Sequence, residues 1–302
     1  MTETRDHGIQ NNERRPRLPE WLKVRMPGGP RYIELQQMMR AKQLHTVCEE
    51  AHCPNIGECW ERGTATFMIL GDICTRACRY CAVTTGKPIQ VDQLEPIRLA
   101  QTAKDMNLEY CVITSVNRDD LEDGGARVFA QCIERVHNAL PTCKVEVLIP
   151  DFNGSVEALS TILAANPDVL NHNIESTRNI FRQVRPRGDY DQSLELLANA
   201  KRLSPSIPTK SGIIVGMGED IAEVLETMSD LRAVDCDLLT IGQYLRPSRQ
   251  HIRMHRFYTP EEFEYLGAEG MTMGFKHVAS GPLVRSSYHA DEQHRSATIR
   301  HD

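Results

Sequence analysis

No apolar run in this 302-residue chain approaches the roughly 20 residues needed to cross a bilayer, which argues against a membrane partner. The opening stretch, MTETRDHGIQNNERRPRLPE, has no apolar segment of the kind a secretory signal carries. Its acidic residues are equally foreign to a mitochondrial presequence, so a cytoplasmic protein is expected. Runs of lysine and arginine are missing too, and the formal net charge is −6. Both argue against a nucleic-acid partner. Neither a sequence repeat nor a second domain can be read. With 40% hydrophobic and 25% charged residues the chain has the make-up of an ordinary soluble enzyme, long enough for an ample core.

Cysteine, by contrast, is plentiful. Six of the ten fall between Cys48 and Cys81, as C-x4-C-x5-C (Cys48, Cys53, Cys59) and C-x3-C-x2-C (Cys74, Cys78, Cys81). Disulfides would suit an oxidising compartment, but nothing indicates export, and such clusters in a reducing cytosol read as metal ligation. Each group stops at three, one short of a complete site. Zinc favours two pairs of ligands held apart, whereas iron–sulfur clusters favour a tight run of thiolates. A run of three leaves one iron open to another ligand. A zinc knuckle completed by a distant histidine is the alternative on spacing alone, and His52 is a further candidate beside the first group. The remaining cysteines, Cys111, Cys132, Cys143 and Cys236, sit singly in apolar or helical stretches and read as small buried hydrophobes.

Around these groups the chain alternates. Residues 1–18 are polar and Pro/Arg-rich, which predicts a disordered arm, and 19–65 form an extension with a short helix before the first cysteines. From 66 to 290, β-branched apolar runs recur at 66–70, 110–114, 144–149, 168–174, 210–216, 238–242 and 276–280. Helical patterns lie between them, such as the one that puts Phe129, Ile133, Val136 and Leu140 on one face. Seven strands alternating with helices predict a parallel α/β sheet, either open and doubly wound or a complete or partial barrel. Both place functional loops at the carboxyl ends of strands, and the loop from Cys74 directly follows the first strand. Residues 291–302 form a tail with no legible chemistry.

C-x3-C-x2-C with Tyr80 just before the last cysteine resembles the signature of the radical S-adenosylmethionine superfamily. LHTVCEEAHCPNIGECW, GTATFMILGDICTRACRYCAVTTGKP, VNRDDLEDGGA, LNHNIES, YLRPSRQH and GPLVRSSYHA together resemble the lipoyl synthase family over about Trp21–Tyr288. That resemblance implies a partial TIM-like (β/α) barrel and two 4Fe–4S clusters. Cys74, Cys78 and Cys81 would hold one cluster, whose open iron takes S-adenosylmethionine and cleaves it to a carbon radical. Cys48, Cys53 and Cys59 would hold an auxiliary cluster, completed by a serine of Arg285–Ser286–Ser287–Tyr288, with Ser287 preferred and Ser286 the alternative. A serine oxygen is a harder ligand than thiolate and easier to lose, which suits a cluster that gives up sulfur.

The family inserts two sulfur atoms at carbons 6 and 8 of an octanoyl chain. The implied partners are octanoylated lipoyl carrier domains, those of 2-oxoacid dehydrogenases and of the glycine cleavage H protein. An electron donor such as flavodoxin or ferredoxin and an iron–sulfur carrier protein are implied as well. No acid–base residue is assigned as catalytic, because an unactivated C–H bond is beyond any tuned Glu or His. Asn117, Asn173, Glu175 and Arg185 are candidates to contact the cofactor, with Arg118, Glu219 and Arg285 near them; each also fits a polar loop role. Ile252–Met254 departs from the family's usual Leu-Pro-Val and is expected to alter a surface that meets the carrier. A biotin synthase-like enzyme, an iron–sulfur electron carrier and a zinc-stabilised interaction protein are the rival readings.

Overall fold

The computed structural model describes residues 17–24, 28–50, 53, 55–61 and 66–298. Most of the expected arm, along with His52, lies outside the described residues. All seven expected strands are present: β2 Thr66–Ile69, β5 Tyr110–Ser115, β6 Lys144–Leu148, β7 Val169–Asn171, β8 Thr209–Val215, β9 Leu238–Gln243 and β10 His277–Gly281. Each pairs in parallel with the next. A short strand, β1 His45–Thr46, is added antiparallel beside β2, so the extension before the cysteine loop is continuous with the main sheet. Two further two-residue strands, β3 Ile73–Cys74 and β4 Thr84–Thr85, pair with each other inside the loop.

The eight-stranded order β1-β2-β5-β6-β7-β8-β9-β10 runs in one direction without reversal. A doubly wound sheet would reverse once, at its ligand crevice, so the order is that of a barrel. Among the described residues no ladder joins β10 to β1 or β2, and the barrel is partial.

Helices cross over between successive strands because their apolar positions recur at the helical period. In Ala126–Ala139, Phe129, Ile133 and Val136 are buried, while Leu140 falls just past the helix and is only half-buried. Asp220 and Thr259 start the last two crossover helices with capping boxes to Glu223 and Glu262, which fix where the preceding loops end. The four lone cysteines are fully buried.

Side chains on the sheet's inner face alternate at period two along each strand. Toward the amino ends, Lys210 Nζ reaches Glu146 at 2.9 Å, and Glu146 also accepts from Tyr110 and Asn171, all of them buried. Two to four residues further along the same strands, Thr114, Leu148 and Gly212 line a cavity. The expected tail is largely the helix Ala290–Thr298, whose Ala290 packs on Tyr110 and Val112 and whose Ala297 packs on Val169 and Leu238.

Candidate active site

The cavity, of about 290 Å³, opens at the carboxyl ends of the strands. Cys74, Cys78 and Cys81 all line it. Their loop leaves β2 through two residues at positive φ, Leu70 and Gly71, and is closed by the β3–β4 ladder. It is tied down on three sides. Arg76, in the x3 spacer, forks onto Asp119 at 2.8–3.2 Å and reaches Asp151 at 2.5 Å and Asn153 at 2.6 Å. His251 Nε2 donates to the carbonyl of Cys81, and the Ile252 N–H to that of Arg79. The backbone N–H groups of Arg76 and Asn117 point at Cys74 Sγ, at 3.4 and 3.3 Å, where they would stabilise negative charge on sulfur.

Facing this loop, the Asn171–Thr177 segment at the end of β7 presents several buried polar atoms with no partner. They are Asn171 Oδ1, His172 Nε2, Asn173 Oδ1, Glu175 Oε2, Ser176 Oγ and Thr177 Oγ1, joined from β5 by Ser115 Oγ. Glu175 holds φ at +72°, a conformation rare outside glycine that is retained where function needs it. Burial pushes its carboxyl above the usual range, partly offset by Arg185. His172 Nδ1 donates to the Ile149 carbonyl, so Nε2 is left as an acceptor on the cavity wall. Burial, reinforced by the charge of Arg185, lowers the histidine's pKa to about 4, and the ring is neutral. Unsatisfied buried groups are costly unless a ligand completes them.

The other triad lies beside the same space. Cys48, on Val47–Glu50, Cys53 and Cys59, on Ile56–Glu61, line a smaller cleft with Arg285, Ser287 and Tyr288. Three contacts hold the carboxyl-terminal segment there: Asn55 Nδ2 donates to the Leu283 carbonyl at 2.6 Å, Tyr288 OH donates to Glu58 at 3.2 Å, and His289 Nε2 meets the same carboxylate at 3.1 Å. Cys48, Cys53 and Ser287 also reach the main cavity. Ser286 lines the main cavity but not the smaller cleft, and its hydroxyl accepts from Asn173 at 2.6 Å.

Each triad gathers three thiols on one cavity or cleft, the donor set that an iron–sulfur cluster takes. Among the described residues no three His, Cys, Asp or Glu side chains gather closely enough to hold one ion. Burial pushes Cys48 and Cys81 up to about 12 and raises Cys53 and Cys78, the last against the pull of Arg185. Such thiols stay protonated until metal displaces the proton.

The comparisons with known proteins agree. Residues 68–231 match the model of the radical SAM superfamily, and residues 2–53 that of the N-terminal domain of lipoyl synthase. Lipoyl synthase of Chloroflexus aurantiacus is 56% identical over 91% of this chain and 90% of its own length. That of Staphylococcus haemolyticus is 54% identical over 93% and 92%. The chain belongs to the lipoyl synthase family. Among solved structures, the FeFe-hydrogenase maturase HydG from Carboxydothermus hydrogenoformans superposes with a TM-score of 0.57, covering 88% of this chain and 62% of that one. At 14% identity that likeness concerns the fold alone.

Of the expected cofactor contacts, Asn117, Asn173, Glu175 and Arg185 all line the cavity. Arg185 is partly occupied, since Nη1 donates to the Asn173 carbonyl. Arg118 is not on the wall of the main cavity; it bridges the carbonyls of Leu70 and Ile89 and pairs with Asp120. Glu219 accepts from the backbone N–H groups of Gly216 and Met217, shaping the turn after β8. Ile252 and Met254 are half-buried against the cluster of Val184, Met217 and Tyr244, while Arg253 between them is exposed. Arg76 and Ser115 were not singled out from the sequence, and His172 entered only as a distant histidine for a zinc knuckle. Arg76 had a usable signal, a charge placed between two ligand candidates; Ser115 had none.

Proposed function

We propose that this chain performs the lipoyl synthase reaction, replacing C–H bonds at carbons 6 and 8 of a carrier-bound octanoyl group with C–S bonds. The observation that supports it best is that five cysteines from the two triads, together with Ser287, line one cavity. In this reading Cys74, Cys78 and Cys81 hold a 4Fe–4S cluster with one iron left for S-adenosylmethionine, and Cys48, Cys53, Cys59 and Ser287 hold the second. When bound, these groups supply a carbon radical able to take hydrogen from an unactivated C–H bond, and the sulfur that follows it.

The protein's own work is to hold and orient. Asn173 and Glu175 offer their unpaired oxygens to donors on the cofactor, and Asn117 and Arg185 complete that wall. Val47, Met68, Val116, Leu148 and Ile214 form an apolar part of the cavity suited to an acyl chain. The acyl group arrives on a lipoyl carrier domain. The reading extends to an electron donor such as a flavodoxin or ferredoxin, and to an iron–sulfur carrier that restores the spent cluster. Ten cysteines, six of them in the two triads, suit the reducing cytoplasm, and among the described residues no helix is long and apolar enough to cross a membrane.

The test is anaerobic reconstitution with an octanoylated carrier-domain peptide, S-adenosylmethionine and a reductant. The peptide should gain two sulfur atoms as the dithiol, and lose two hydrogens only on later oxidation to the disulfide, with two molecules of 5′-deoxyadenosine formed per product. Cofactor cleavage without any sulfur in the peptide would overturn the reading.

A further inference from the structure

Ser286 and Ser287 are neighbours in a turn, and both line the main cavity. Only Ser287 also lines the cleft of Cys48, Cys53 and Cys59, while Ser286 is held by Asn173. The Asn173 amide nitrogen has two donors, and both are spent: one on Ser286 Oγ at 2.6 Å, the other on Glu175 Oε1 at 3.2 Å. Its oxygen has no partner. That oxygen lies over Gly212, 2.8 Å from where a Cβ would stand, and Gly212 also lines the cavity. Turning the amide over would set its oxygen against the Glu175 carboxylate, so Glu175 fixes which way the amide faces, and the bond to Ser286 Oγ then holds it with Oδ1 over Gly212 on the cavity wall. The segment carrying both serines rests directly on β9: a Cβ on Gly242 would stand 2.1 Å from the Val284 carbonyl oxygen and 3.2 Å from Arg285 Nη1.

We propose that Ser286 is a positioning residue that couples the two halves of the site. Its hydroxyl fixes the Asn173 amide for a donor group of S-adenosylmethionine, and through the same bond the occupied pocket holds the carboxyl-terminal segment, with Ser287, in place. Coupling of this kind is reciprocal: whatever the segment adds to cofactor affinity, the cofactor adds to the order of the segment. The inference rests on the proposed function, because it takes S-adenosylmethionine as the ligand of this pocket.

The test uses the full chain with its clusters reconstituted and no reductant, so that nothing turns over. S-adenosylmethionine binding is measured by calorimetry, and amide hydrogen exchange is followed across residues 282–298. In the wild type the cofactor should slow exchange in the segment around Ser286. Ser286→Ala should weaken binding roughly two- to tenfold, the worth of one hydrogen bond, and abolish that protection while keeping a full complement of iron. Ser286→Thr, which retains the hydroxyl, should restore both. Wild-type affinity and undiminished protection in Ser286→Ala would overturn the coupling. Loss of about half the iron in that variant would overturn it differently, by making Ser286 a ligand. A wild type that binds no S-adenosylmethionine would remove the proposed function and this inference together, whereas tight binding indifferent to Ser286 removes the inference alone.

Discussion

Replacing Arg76 by Met keeps most of the side chain's length and removes its charge from the centre of the cysteine loop. The guanidinium is almost wholly buried and serves three partners, of which Asp151 has no exposed side-chain surface and Asp119 is 17% exposed. Removing one member of a buried pair costs about 3–5 kcal/mol, because the other charge is left uncompensated. Asp119 can take up water, and Arg185 remains 3.9 Å from Asp151, so the lower figure of about 3 kcal/mol is expected. For a chain of this size that corresponds to a fall in melting temperature of roughly 6 °C, read anaerobically on the reconstituted protein.

The loss should depend on pH. In the wild type burial alone would raise the Asp151 carboxyl, but the Arg76 hydrogen bond and charge outweigh it and hold the carboxyl below its usual value of 3.8. A depressed carboxylate contributes stability that is present above its unfolded pKa and lost as pH falls through the folded one. The wild type should therefore keep this contribution down to about pH 4. Without the guanidinium, burial dominates and the carboxyl's pKa rises. Protonation then relieves the variant, and its deficit should shrink between pH 7 and pH 5. A melting temperature indistinguishable from wild type, or a deficit constant across that range, would refute the reasoning.

Gly242→Ala should drive the carboxyl-terminal segment about 1 Å off β9, at roughly 1–3 kcal/mol, and lower iron at the Cys48–Cys59 site while sparing the other; undiminished iron would count against it. Two cubes imply about eight irons per chain, and stoichiometric zinc on metal analysis would exclude the assignment. Replacing Cys74, Cys78 and Cys81 by Ala should abolish 5′-deoxyadenosine formation, whereas replacing Cys48, Cys53 and Cys59 should leave some of it but no sulfur transfer. Thiolated product from the second variant would show that sulfur comes from elsewhere. Ser287→Cys supplies a softer ligand, so iron and cofactor cleavage should persist while dithiolated peptide falls; unchanged product would remove Ser287 from the proposed ligand set.

Local pattern was enough for the seven parallel strands, because apolar β-branched runs separated by helical periods admit few alternatives. The two cysteine triads were equally legible as groups, since three thiols within a dozen residues are brought together by chain connectivity alone. Strand order was not. An open doubly wound sheet and a barrel share the same alternation, and only the ladders between β2, β5 and the strands that follow separate them. What each of the two adjacent serines lines also lay beyond the sequence, because it depends on residues some 230 positions apart, Asn55 with Leu283 and Glu58 with Tyr288, having met. The sequence also did not show that Ile252 and Met254 are half-buried while Arg253 is exposed, since the loop that carries them folds back to the cysteines through bonds to Arg79 and Cys81. Ligand type and spacing are written locally along the chain. Which groups share a cavity is decided by long-range register, and no window of sequence contains it.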